Sequence, residues 1–110
     1  MTGQPPSIAA GVEHHAAGRL DEAEAIYRGI LEHAPDHADA LHLLGVARMQ
    51  RGQLDEAVEL ISRAVERQPA NPAFLSNLGT AHLERDETED AIRLFRDALL
   101  HDPDHVDARF

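Results

Sequence analysis

Three absences narrow the chain before any residue pattern is read. Among its 110 residues there is no cysteine and no lysine. Without cysteine, disulfides, thiolate metal sites and cysteine nucleophiles are excluded. Without lysine, so is Schiff-base chemistry. No stretch approaches the roughly 18 apolar residues of a membrane span, and the N-terminus has no basic segment leading into an apolar run. A soluble, cytoplasmic chain with no membrane partner is expected. All ten basic residues are arginine, against 20 acidic ones, for a formal net charge of -10. That balance opposes binding to a phosphate backbone, so no nucleic-acid partner is expected.

What the sequence does contain is a repeat. At an offset of 34 residues the punctuation coincides: Gly11, Gly45, Gly79; Ala23, Ala57, Ala91; Pro35, Pro69, Pro103. Tyr27, Ile61 and Phe95 align as a column of large side chains, and Ile30, Ala64 and Ala98 as one of smaller apolar ones. A period of this length marks stacked supersecondary units. Three units span 4–37, 38–71 and 72–105, and residues 106–110 resemble the opening of a fourth, within a single domain covering 1–110.

Each unit has helical rather than alternating spacing, as in Leu41, Leu44 and Arg48, then Leu54, Val58, Ile61 and Val65. Gly18 and Gly52 fall where a first helix should stop, and the three prolines where a second should. Helices are predicted near 6–17, 20–33, 38–51, 54–67, 72–85 and 88–101, giving an all-α solenoid of antiparallel hairpins. Asn71-Pro72 is a helix start, since asparagine accepts from free N–H groups and proline presets φ. Asp36 with Asp39, and Asp104 with Asp107, place carboxylates where the helix dipole favours them. Each recurrent glycine is expected to face the alanine of its unit: Gly11 with Ala23, Gly45 with Ala57, Gly79 with Ala91.

These residues resemble a tetratricopeptide-repeat protein. Leu41-His42-Leu43-Leu44-Gly45 with Gly52-Gln53-Leu54-Asp55-Glu56-Ala57, Ala64 and Pro69 carries the resemblance, and Leu75 to Gly79 with Asp90-Ala91, Phe95, Ala98 and Pro103 repeats it. Unit one departs at Ser7 and Ala10, and unit three replaces the turn glycine with Asp86, a residue that accepts left-handed geometry. The resemblance implies a right-handed superhelix whose first helices line a concave groove. It also implies a non-catalytic scaffold for a protein or peptide partner.

Helical spacing places Ile8, Val12 and His15, then Asp39, His42, Val46 and Met49, then Ala73, Ser76, Thr80 and Leu83 toward that groove, with Leu43, Asn77, Gln50 and Glu84 flanking it. The stripe suits an apolar or amphipathic segment. Relatives that clamp a terminal carboxylate with basic residues have Ile8, Val12, Leu43, Ala73 and Asn77 as their counterparts here, so that chemistry is not expected. Of the asparagine ladder in relatives fused to glycosyltransferases, only Asn77 remains, beside Ala9 and Leu43. This keeps as an alternative the substrate-recruiting N-terminal region of a larger transferase. Acidic residues including Asp21, Glu22, Glu24, Glu56 and Glu89 are expected to decorate the opposite face.

Eight histidines invite a metal reading, but His14 and His15 diverge by about 100° on a helix, and His33/His37 and His101/His105 straddle prolines. Structural roles are expected, with no cofactor, metal or catalytic residue assigned. A terminal unit leaves an apolar face uncovered, which predicts that the chain belongs to a longer array or self-associates through Ile92, Phe95, Leu99 and Phe110.

Overall fold

Six helices follow in order in the computed structural model, which describes residues 7–104: α1 (Ile8–Ala16), α2 (Leu20–His33), α3 (Ala38–Gln50), α4 (Leu54–Arg67), α5 (Pro72–Glu84) and α6 (Thr88–His101). Predicted and observed bounds agree within about two residues. Residues 4–6 and 105–110, with them Asp107 and Phe110, lie outside the described residues.

The two classes of helix start differently. Before α1, α3 and α5 an extended residue folds its side chain back: Ser7 Oγ accepts from Ala10 N–H, His37 Nδ1 from Ala40 N–H, and Asn71 Oδ1 from Phe74 N–H. The α3 cap is therefore an imidazole, with Asp39 adding its charge in the first turn. Before α2, α4 and α6 no side chain caps. Two acidic residues occupy each first turn instead, Asp21/Glu22, Asp55/Glu56 and Glu89/Asp90, where the exposed N–H dipoles favour them.

First helices end alike. Gly18, Gly52 and Asp86 adopt φ of 80°, 78° and 63°. Behind each, two backbone bonds close the last turn: Gly18 N–H to His15 O and Arg19 N–H to His14 O, with the same pair at 52/53 and 86/87. This is the double-bonded left-handed helix end that glycine favours and aspartate tolerates.

Packing follows the chain. α1 lies on α2, α3 on α4 and α5 on α6, and each second helix packs on the next first helix. α1 also touches α3 and α3 touches α5, whereas α2, α4 and α6 do not touch one another. First helices thus crowd together and second helices splay, curving the stack around an inner face made of α1, α3 and α5. The result is an all-α solenoid measuring 48 × 25 × 22 Å.

The repeated glycines face large side chains rather than alanines. A Cβ at Gly11 would lie 2.5 Å from Tyr27 Cε1, at Gly45 2.5 Å from Ile61 Cγ1, and at Gly79 2.9 Å from Phe95 Cε1. Each glycine is a notch for the large residue of its own hairpin, while Ala57 contributes only a backbone oxygen 3.3 Å from the Gly45 position. Ala23, Ala57 and Ala91 are themselves fully buried.

Candidate partner-binding groove

The inner face is assembled from α1, α3 and α5, and its polar groups bridge neighbouring hairpins. His15 Nε2 meets Gln50 Oε1 at 2.7 Å and His15 Nδ1 meets Tyr27 Oη at 3.1 Å. The amide oxygen only accepts, so Nε2 carries the proton and the Tyr27 hydroxyl donates to Nδ1. Burial holds the Tyr27 phenol above its ordinary pKa. One hairpin along, Asn77 Nδ2 donates to His42 Nε2 at 2.8 Å. His42 stacks on Phe74 at a centroid distance of 4.6 Å and is 9% exposed. Burial lowers its pKa to about 4; Asp39 opposes the shift and His15 adds slightly to it. Both bonds join residues 35 apart, so the same diagonal step links α1 to α3 and α3 to α5.

Val12 is 43% exposed, and Val46, Met49, Thr80 and Leu83 are half-buried. Asp39 is exposed at the start of α3. Ile8 packs on Ala23, Tyr27 and Leu44, and Leu83 on the Leu75–Phe95 cluster. Ser76 departs from expectation: it is fully buried and its Oγ donates to Ala73 O, so it supports α5 without meeting a ligand. Thr80 Oγ1 similarly donates to Ser76 O, but its side chain stays half-buried.

Glu24, expected at the surface, is 3% exposed. Its Oε1 faces Arg28 at 3.3 Å and Arg48 at 3.6 Å, and its Oε2 faces Arg51 Nε at 3.1 Å as an ion pair that is not a hydrogen bond. Arg51 also donates to Asp21 at 2.6 Å, which raises its pKa, and the ion pair of Arg85 Nε with Asp55 Oδ1 at 3.7 Å recurs at the same spacing one unit on. Phe95, expected on a self-association face, is buried in the Gly79 notch. Leu99 is half-buried on the same cluster, so the outward apolar groups of α6 are Ile92 and Leu100, the latter 79% exposed.

Helix hairpins stacked in register around a concave inner face define an α-solenoid repeat protein. The chain belongs to the tetratricopeptide repeat family: one family model matches residues 14–78 and a second matches 76–110. No curated protein sequence matches it. Among solved structures, a mutant of the Thermobaculum terrenum O-GlcNAc transferase is 30% identical, with a TM-score of 0.88 over 89% of this chain and 19% of its own. MamA is 26% identical, with a TM-score of 0.79 over 89% of this chain and 57% of its own. YrrB, described as a TPR protein with an unusual peptide-binding site, is 21% identical, with a TM-score of 0.83 over 92% and 52%. The chain spans less than two thirds of each of these structures. Among the described residues no helix is long and apolar enough to cross a membrane.

Proposed function

We propose that the chain is a non-catalytic scaffold whose inner groove holds an apolar or amphipathic segment of a protein partner. The observation that carries this reading is the composition of the α1–α3–α5 face. Val12, Val46, Met49 and Leu83 offer partly open apolar surface, with Thr80 among them. The His15–Gln50 and His42–Asn77 pairs flank it with oriented amides. Each of those amides makes one bond to an imidazole and has further hydrogen-bonding capacity for a peptide backbone. Three repeats over 4–37, 38–71 and 72–105, with 106–110 opening a fourth, are part of this proposal.

A photo-crosslinking residue at Val46 or Thr80 tests it, using peptides selected from a random library against the chain. Crosslinks from both positions to selected peptides support the groove; crosslinks only from convex positions such as Glu66 refute it.

A second reading draws on the 30% identity to an O-GlcNAc transferase: the repeats recruit substrate for a larger transferase. Coding sequence adjoining these residues decides between the two. Self-association is also proposed, through Ile92, Leu99 and Leu100 on α6. Leu99 shares its repeat column with Leu31 and Val65, which pack against the next hairpin, whereas Leu100 adds exposed apolar surface in the column of Glu32 and Glu66. Light scattering across a concentration series reads it directly.

A further inference from the structure

One side-chain bond recurs at all three hairpin turns. Arg19 Nε donates to His14 Nδ1 at 2.9 Å, Arg48 Nη1 to Gln53 Oε1 at 2.6 Å, and His82 Nδ1 meets Glu87 Oε1 at 2.7 Å. Each pair is five residues apart and occupies the same two repeat columns. A third column, Glu22, Glu56 and Asp90, sits in the first turn of the following helix, and Arg48 Nη1 reaches Glu56 Oε1 at 3.5 Å. In the first two turns the three columns contain their own cation, Arg19 or Arg48. In the third they hold His82, Glu87 and Asp90, all half-buried, with one donor atom from each lying within 4.8 Å of the others.

We infer that the α5–α6 turn is a zinc site with His82, Glu87 and Asp90 as its protein ligands. Tetrahedral zinc with bonds of about 2.0–2.2 Å to nitrogen and oxygen sets neighbouring donors roughly 3.3 Å apart. His82 Nδ1 and Glu87 Oε1 stand 2.7 Å apart, closer than that value, and the Asp90 oxygen lies no more than 4.8 Å from either, so small side-chain rotations accommodate the ion. Backbone placement is already fixed, since Glu87 N–H bonds to His82 O at 2.9 Å across the left-handed Asp86.

Two arginines bear on the choice of ion. Arg85 Nη2 lies 3.2 Å from Glu87 Oε2, and Arg93 pairs with Asp90 Oδ1. They orient the carboxylates as outer-sphere partners do, and they also offset the negative charge. A hard cation held by charge alone is therefore disfavoured, and the imidazole nitrogen gives the site its preference for zinc over calcium or magnesium. Three protein ligands leave a fourth position for water or a donor from a partner.

Zinc chloride titrated calorimetrically into the 110-residue chain tests the assignment. One site per chain is expected, weakened at least about tenfold in both His82→Gln and Asp90→Asn and retained in His14→Gln. In nitrogen-15 spectra, one equivalent of zinc should shift the His82 imidazole first. Wild-type affinity in both ligand variants, absence of binding near one equivalent, or first shifts at another histidine would overturn the site.

Discussion

Gly45 and Ile61 share one volume: a methyl on the glycine would sit 2.5 Å from Ile61 Cγ1, a methylene attached directly to the branched Cβ, where χ1 is stiff, rather than a flexible tip. Gly45→Ala should therefore destabilise the chain by about 1–3 kcal/mol, outweighing the roughly 1 kcal/mol that alanine gains in helix propensity. In an Ile61→Ala background the sign should reverse, because the alanine then occupies vacated space. Urea unfolding of the four-member cycle measures the coupling. Additive effects would mean that the notch is not what requires glycine.

Asp86 carries the left-handed turn that glycine provides at 18 and 52. Asp86→Gly should stabilise the fold by about 0.5–1 kcal/mol, because glycine takes positive φ without steric cost. Gly52→Ala should cost a similar amount or more. Thermal midpoints for the two variants should move in opposite directions.

His42 makes stability depend on pH. Its folded pKa near 4 lies below the unfolded value near 6.5. The unfolded chain therefore binds the extra proton between those values, and the contribution of neutral His42 is complete above about pH 6.5 and lost as pH falls toward 4. The shift corresponds to a loss on the order of 3 kcal/mol. His42→Gln should flatten this limb in denaturation midpoints compared across pH. An unchanged limb would place the titration elsewhere.

Glu24 and Asp55 both face arginines of the next hairpin, but only Glu24 is buried. Glu24→Gln should cost about 1–3 kcal/mol, because it removes charge from a site surrounded by three arginines. Asp55→Asn should stay within about 0.5 kcal/mol. Chemical denaturation of both variants provides the comparison.

Helix bounds, the Asn71 cap and the Asp86 turn were legible because each depends on local chemistry that the 34-residue register repeats. Burial depended on partners in other hairpins. Glu24 aligns with Val58 and Ile92, and a carboxylate in an apolar column is a signal of burial, but recognising it requires Arg48 to arrive from α3 and Arg51 from its C-cap. Phe95 shares its column with Tyr27 and Ile61, which marks it as notch filler once the glycines are seen to face that column. On the inner face helical spacing identified a stripe but not its depth, so Ser76 fell below the surface while its neighbours Asn77 and Thr80 remained partly open.

If the inner face binds the partner, affinity for a library-selected peptide depends on the side chains that line it. Val46→Glu places a charge among partly open apolar groups and should weaken binding at least about tenfold, a loss of about 1.4 kcal/mol. Glu66→Ala, on the exposed side of α4, should leave affinity unchanged. Wild-type affinity in Val46→Glu together with a loss in Glu66→Ala would put the partner on the convex face instead.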